Sequence, residues 1–208
     1  MNNKIRPGIL FILSGPSGVG KGTVCKKLLT EDQNLRYSVS VTTRSPREGE
    51  IDGVSYYFIT KEDFLLKREQ GEFLEWAEVY GNFYGSPLSA VRENLEAGHD
   101  VILEIDIQGA KKIKKHFSEG VYVFLMPPSA QELDHRIRKR GTDGPESIKL
   151  RLGSLQEEVE AITEYDYVVV NDVLERAVQK IRYIISAEKS RQKHFRADEY
   201  ITWQEVTS

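Results

Sequence analysis

Nine residues, Gly15-Pro16-Ser17-Gly18-Val19-Gly20-Lys21-Gly22-Thr23, combine glycines and one lysine in the spacing Gly-x-x-x-x-Gly-Lys of a phosphate-binding loop. Glycines let a backbone turn tightly and aim successive N–H groups inward as an anion nest. Lys21 adds a point charge for the outer phosphates, and a helix that follows contributes its positive N-terminal end. The context fits, because the apolar run Ile9–Leu13 precedes the loop and Val24, Leu28 and Leu29 share one helical face after it. Gly22 stands where the motif usually has a Ser or Thr that ligates magnesium, with Thr23 one place later. Phosphate binding is therefore the firmer expectation, and a direct hydroxyl–Mg²⁺ contact the weaker one.

A second constellation lies at Ser40–Glu50, where Arg44 and Arg47 stand three apart among several hydroxyls. Arginine forks suit phosphate oxygens. Downstream, Tyr56, Phe73-Leu74-Glu75-Trp76 and Gly81-Asn82-Phe83-Tyr84-Gly85-Ser86 supply hydroxyls, an aromatic surface and a carboxylate in an otherwise apolar strand. Guanine offers two adjacent donors, N1–H and the N2 amine, and an acceptor at O6. One ionised Glu75 can accept from both donors while the Ser40 hydroxyl donates to O6. Adenine would turn a lone pair toward the same carboxylate, and sites built on such pairings reject the wrong partner by roughly 10⁴-fold or more. On spacing alone, however, Glu75 reads as an outward-facing strand residue.

The elements that must position these groups alternate between strand and helix, which argues for an α/β fold with a parallel sheet flanked by helices, of the P-loop NTPase type. After the loop helix we expect a short strand near residues 37–41, a strand over 56–59 and a helix from about Lys61. Next come closely connected, antiparallel strands at 73–79 and 82–84. Residues 37–87 thus read as a β-rich insertion. The α/β rhythm resumes with a helix through Leu88, Val91 and Leu95, a buried strand Val101–Leu103 running into Glu104-Ile105-Asp106, a further helix, and strand Val121–Met126. A basic helical stretch, a Gly-Thr-Asp-Gly-Pro break at 141–145 and one helix with Ile148, Leu152, Leu155 and Val159 at helical spacing form a candidate lid over 128–155. Strand Tyr167–Val170 and a helix from Leu174 to about Glu188 close the core. The core therefore comprises 1–36, 88–127 and 156–190, and 191–208 reads as a peripheral tail.

The 208 residues carry a net charge of −3, which gives no global attraction to nucleic acid. The lone Cys25 forms no internal disulfide, and no apolar run has membrane-spanning length, so the expected compartment is the cytoplasm. The four histidines lack metal-ligand spacing.

Together the loop at 15–21, Ser40-Val41-Thr42-Thr43-Arg44 with Pro46-Arg47 and Gly49-Glu50, Phe73–Trp76, Gly81–Gly85, Glu104-Ile105-Asp106-Ile107-Gln108-Gly109 and Arg140-Gly141-Thr142 resemble the guanylate kinase family. The likeness runs in order from about residue 8 to 190. The Thr-Thr-Arg-x-Pro-Arg and Gly-Asn-x-Tyr-Gly blocks are its specific part. The resemblance implies transfer of the γ-phosphoryl of ATP to GMP with Mg²⁺. It implies that Gly15–Thr23 and Asn171 bind ATP, that Ser40, Glu75 and Asp106 read the base, and that Ser86 stands where a small hydroxyl contacts it. Arg44, Arg47, Tyr56 and Tyr84 would hold the GMP phosphate. Lys21, Arg44 and the lid arginines Arg136, Arg140 and Arg151 would carry catalysis, and Glu104 would approach the metal through water. Insertion and lid are expected to close on the substrates and exclude water. Small bacterial-type members are often oligomeric, so homo-oligomer formation stays open. Two competing readings are a non-catalytic guanylate-kinase-like binding module and a P-loop kinase for another small phosphate ester. Lys21 argues against the first, Glu75 and Ser40 against the second.

Overall fold

Five successive buried residues, Leu10–Ser14, form strand β1, apolar on both faces because helices cover it from both sides. The computed structural model describes residues 6–79, 81–139 and 144–194, apart from the side chains of Pro145, Ser147 and Leu150. β1 lies at the centre of a five-stranded parallel sheet between β7 (Asp100–Glu104) and β8 (Val121–Met126), with β2 (Leu35–Tyr37) and β9 (Tyr167–Val170) at the edges. One face packs on α1 (Lys21–Glu31) and α8 (Leu174–Lys189) through Val24, Leu28, Val178, Ile181 and Ile185. The other packs on α3 (Leu88–Glu96) and α4 (Ile107–His116) through Val91, Leu95, Ala110 and Ile113. Ligands of such sheets bind beyond the carboxyl ends of the strands. Here the loop after β1, Glu104–Asp106 after β7 and Asn171 after β9 share that rim.

A second sheet, in the order β4-β3-β6-β5, is built from β3 (Val41–Thr42), β4 (Tyr57–Phe58), β5 (Phe73–Val79) and β6 (Asn82–Pro87). It packs on α2 (Lys61–Glu69), whose first turn is capped by the Thr60 hydroxyl accepting from the Asp63 amide. Phe64 is the centre of this small core, stacked on Phe73 at 4.5 Å and on Phe83 at 5.4 Å between ring centroids. The strand expected as one piece over 37–41 is two strands in two sheets. Tyr37 pairs with Ile102 in the parallel sheet and Val41 with Gly85 in the other, so the chain leaves the core sheet at 38–40. β5 and β6 are antiparallel, as their short connection requires.

The lid segment carries α5 (Ala130–Lys139) and α6 (Pro145–Gly153), followed by α7 (Leu155–Glu160) and a 3₁₀ turn, Ala161–Glu164. The single helix expected through Ile148 and Val159 is broken at Gly153-Ser154, where the Ser154 hydroxyl donates to the Arg151 carbonyl at 3.1 Å. Arg140 and most of the 141–145 break, Gly141 to Asp143, lie outside the described residues, as does the tail from 195 onward. Among the described residues no helix is long and apolar enough to cross a membrane.

Candidate active site

The glycine-rich loop has the geometry its sequence demands. Gly15, Gly18 and Gly20 adopt φ of 144°, 85° and 99°. A Cβ on Gly15 would stand 2.2 Å from the Leu125 carbonyl, so both φ and space require glycine there. The Lys21 ammonium donates to the Gly15 and Pro16 carbonyls at 2.7 and 3.1 Å, folding along the loop it serves. Burial lowers its pKa, and the carboxylates of Glu104, Asp106 and Glu158 oppose that shift.

Asn171, expected to bind ATP, is also engaged by the protein itself. It is 6% exposed, and its amide donates to the Val19 carbonyl at 2.8 Å while its own N–H bonds the Met126 carbonyl at 2.8 Å. It therefore braces the phosphate loop from β9. A neighbouring Asp172 accepts from the Val173 amide at the start of α8.

Two of the three lid arginines reach the same loop. Arg136 is held by Glu132 at 2.7 Å and donates to the Val19 carbonyl at 3.4 Å, and Arg151 donates to the Ser17 hydroxyl. Arg138 instead pairs with Asp134 on the exposed face, as a plain surface residue would. α5 docks on the loop itself, since a Cβ on Gly18 would stand 2.6 Å from Ile137 Cγ1.

Across the rim, Glu75 is only 8% exposed, which overturns the outward-facing reading of its spacing. The physical reason is a bulge. Phe73 pairs with Pro87 but Glu75 with Ser86, so the extra residue turns the carboxylate inward beside the Ser86 hydroxyl, which donates to it at 2.9 Å. Burial raises the Glu75 pKa to about 7, with Ser86 opposing and the Asp106 charge adding to it. Asp106 caps α4, its Oδ1 accepting from the Gly109 amide at 2.7 Å. Both carboxylates converge on Gly109, where a Cβ would stand 2.9 Å from Glu75 Oε2 and 3.3 Å from Asp106 Oδ1. Ser40 is buried nearby in sequence to β3, its carbonyl accepting from the Tyr57 amide at 2.9 Å.

Arg44 lies over the Tyr56 ring at 5.3 Å, and Tyr56 meets Tyr84 edge-on at 6.1 Å. Tyr84 also hydrogen-bonds the Arg44 guanidinium. Arg47, half-buried, follows in the same loop, so the four residues expected at one phosphate come from β6 and the loop between β3 and β4. Glu104 accepts from the Tyr37 hydroxyl at 3.3 Å and lies alongside Gly22, where a Cβ would be 3.2 Å from its Oε2. Gly22 thus leaves room for this carboxylate at the loop. Among the described residues no group of three His, Cys, Asp or Glu could hold a metal by itself.

Sequence reasoning gave no role to Glu50, Gly109 or Glu158. Glu158, on α7, accepts from Ser154 at 3.0 Å, and burial raises its pKa against the charges of Lys21 and Arg151. Nothing in its helical spacing separates it from the exposed Glu157, whereas Glu50 and Gly109 stand inside motifs whose neighbours were assigned.

The sequence model of the guanylate kinase family matches residues 8–188. A guanylate kinase of Caldanaerobacter subterraneus is 53% identical over 186 residues, covering 89% of this chain and 90% of the relative. One from Clostridium tetani is 55% identical over 184 residues, covering 88% of each. Among solved structures, guanylate kinase from Anaplasma phagocytophilum superposes with a TM-score of 0.77 at 38% identity, covering 91% of this chain and 90% of that one.

Proposed function

The chain belongs to the guanylate kinase family, and from that premise we propose that it transfers the γ-phosphoryl group of ATP to GMP, giving ADP and GDP. The observation that carries the reading is the buried Glu75 carboxylate, paired to Ser86 and set beside Asp106. Asp106 is felt electrostatically by both Glu75 and Lys21, so a base-reading pocket and a phosphate loop adjoin. Lys21, retained in the phosphate loop, argues against a scaffold module, and an acceptor without guanine would leave the buried carboxylate without its donors.

In this reading Lys21 and the loop amides hold the ATP phosphates, and Ser40, Glu75, Ser86 and Asp106 take the guanine. Arg44, Arg47, Tyr56 and Tyr84 fix the acceptor phosphate in line. An oxygen of the GMP phosphate attacks the γ-phosphorus as the bond to the β-phosphate oxygen breaks and ADP leaves. That oxygen is already anionic at neutral pH, so no strong general base is needed. Arg136 and Arg151, with Arg140, stabilise the charge that spreads over the migrating group. Closure of the insertion and lid excludes water from ATP.

The donor set at the loop suits Mg²⁺, which takes one or two carboxylates and otherwise substrate phosphates and water. Glu104, through water, is the residue that would hold it. When bound, the ion would supply positive charge that offsets the charge of the ATP phosphates. One buried, unpaired Cys25 suits a reducing cytoplasm, which we assign as the compartment.

A coupled ADP-release assay with ATP–Mg²⁺ tests the function. Turnover with GMP and not with AMP, CMP, UMP or no acceptor is the expected result. Equal release with every acceptor would point to another phosphate ester, and GMP binding without release to a non-catalytic module.

A further inference from the structure

Arg47-Glu48-Gly49-Glu50 forms a tight turn in which the Glu50 amide donates to the Arg47 carbonyl at 3.1 Å. Its third residue, Gly49, has φ 80°, the value that favours glycine in a type II turn. No atom lies within 4 Å of a Cβ built there, so the backbone conformation and not space selects glycine. The turn brings the Glu50 side chain back onto the two arginines. Its Oε2 accepts from Arg44 Nη1 at 2.9 Å and from the Arg47 amide at 2.7 Å, and its Oε1 accepts from Arg44 Nη2 at 3.0 Å.

Counting donors decides what this does. A guanidinium has five N–H groups in a rigid plane. The Ser45 carbonyl accepts the other Nη1 hydrogen at 2.7 Å. Both Nη1 hydrogens and one Nη2 hydrogen are thereby taken. The edge left beyond Glu50 and Ser45 carries the Nε and second Nη2 hydrogens side by side, the parallel fork that matches two oxygens of a phosphate, and the Tyr84 hydroxyl, itself expected at that phosphate, is the guanidinium's remaining protein partner. The Tyr56 and Phe58 rings, 5.3 and 5.8 Å from the guanidinium carbon, fix its plane. The Arg44 side chain is only 13% exposed and that of Glu50 18%.

We propose that Glu50 is a positioning residue of the acceptor site, fixing Arg44 so that only the Nε/Nη2 edge is offered to the phosphate of GMP, and seating the Arg47 backbone beside it. The proposal rests on the reading of GMP as acceptor. A carboxylate beside an anion site reduces the net positive charge there, so Glu50 would weaken binding if charge alone mattered. Against this stands the rotamer freedom of a long arginine, which a ligand must otherwise freeze itself. The bidentate pair removes that freedom in advance.

The test is calorimetric titration of wild type, Glu50→Ala and Glu50→Gln with GMP and with guanosine, which lacks the phosphate. Glu50→Ala is expected to weaken GMP by roughly 10- to 100-fold, the scale of one or two charge-assisted hydrogen bonds, with guanosine affinity unchanged. Glu50→Gln retains one acceptor oxygen and is expected to fall between. Unchanged or tighter GMP binding in Glu50→Ala would overturn the proposal in favour of simple charge competition. An equal loss for guanosine would overturn it in favour of a role in folding the insertion. Wild type that binds neither ligand would refute the acceptor reading itself, a result distinct from both.

Discussion

Replacing Glu75 by Gln is expected to act in opposite directions on stability and on binding. The carboxylate is 8% exposed, and burial raises its pKa to about 7 from the ordinary 4.5, against the hydrogen bond from Ser86. The folded chain therefore holds this proton more tightly than the unfolded chain. The stability that the group contributes is full below about pH 4.5 and is lost as pH rises through about 7. Between pH 5 and pH 8 the loss amounts to about 2.5 kcal/mol, from 1.36 kcal/mol per unit of pKa difference. Gln does not titrate. The stability of Glu75→Gln relative to wild type should therefore rise by about 2.5 kcal/mol from pH 5 to pH 8, or roughly 5–10 °C in melting temperature for a chain of this size. Thermal unfolding of both proteins at the two pH values reads this directly. GMP binding moves the other way. Gln offers one acceptor oxygen and an opposing amine to the two guanine donors, and roughly 100-fold weaker binding at pH 8 is expected. Melting temperatures that track each other across the pH range would refute the buried-carboxylate argument, and unchanged GMP affinity would refute base recognition by Glu75.

Gly109→Ala places a methyl group 2.9 Å from Glu75 Oε2, on a carboxylate already pinned by Ser86. Steady-state kinetics should show KM for GMP raised at least about tenfold, with KM for ATP unchanged. Asn171→Ala leaves the Val19 carbonyl with only the longer hydrogen bond from Arg136, at 3.4 Å, in place of the one at 2.8 Å. A stability loss of about 1–3 kcal/mol and weaker ATP binding, with GMP binding retained, are expected from denaturant unfolding and titration. Arg151→Ala removes a charge whose guanidinium reaches the phosphate loop at Ser17. Single-turnover measurements should show phosphoryl transfer slowed by about 10³-fold or more, with substrate affinities little changed. A rise in KM alone would assign Arg151 to ground-state binding.

Both constellations were legible because each is local. A loop of nine residues declares its backbone through glycines and its ligand through Lys21, and the stretch Ser40–Glu50 declares an anion through two arginines three apart. Glu75 was not legible by periodicity, because its inward direction depends on a bulge between Phe73 and Glu75 that strand alternation does not reveal. The strand at 37–41 was misread for a related reason. Apolar and hydroxylic residues continue through it, while the change of sheet at 38–40 depends on which strand lies alongside. Asn171 carried an expected role at ATP through the resemblance alone, and its hydrogen bond to the Val19 carbonyl, distant in sequence, had no local signal. Gly109 stands inside the Glu104–Gly109 motif, yet its own role had no local signature. A glycine inside a helix ordinarily costs stability, and its presence in α4 is explained by the Glu75 and Asp106 carboxylates facing it.

The same seam ties base recognition to the placement of the insertion on the core. Asp106, Gly109 and Lys112 recur every three residues and share one face of the first turns of α4. Asp106 caps the helix, Gly109 leaves space for Glu75, and Lys112 donates to the Trp76 carbonyl at 2.6 Å with its ammonium 4.8 Å from the Trp76 ring. Arg68 of α2 lies 5.0 Å from that ring as well, so Trp76 is engaged by a cation from the core and one from the insertion. β5 is thus held against α4 at the base-reading Glu75 itself and at its neighbour Trp76. A shift of the insertion relative to the core must move Glu75 past Gly109, and the tight approach there permits little sliding. Arg44 and Tyr56 lie in the loop between β3 and β4, at the far edge of the same sheet from β5. Confinement at that side comes from the Glu50 turn instead. The base end of the site is therefore positioned by the core, and the phosphate end by the insertion itself.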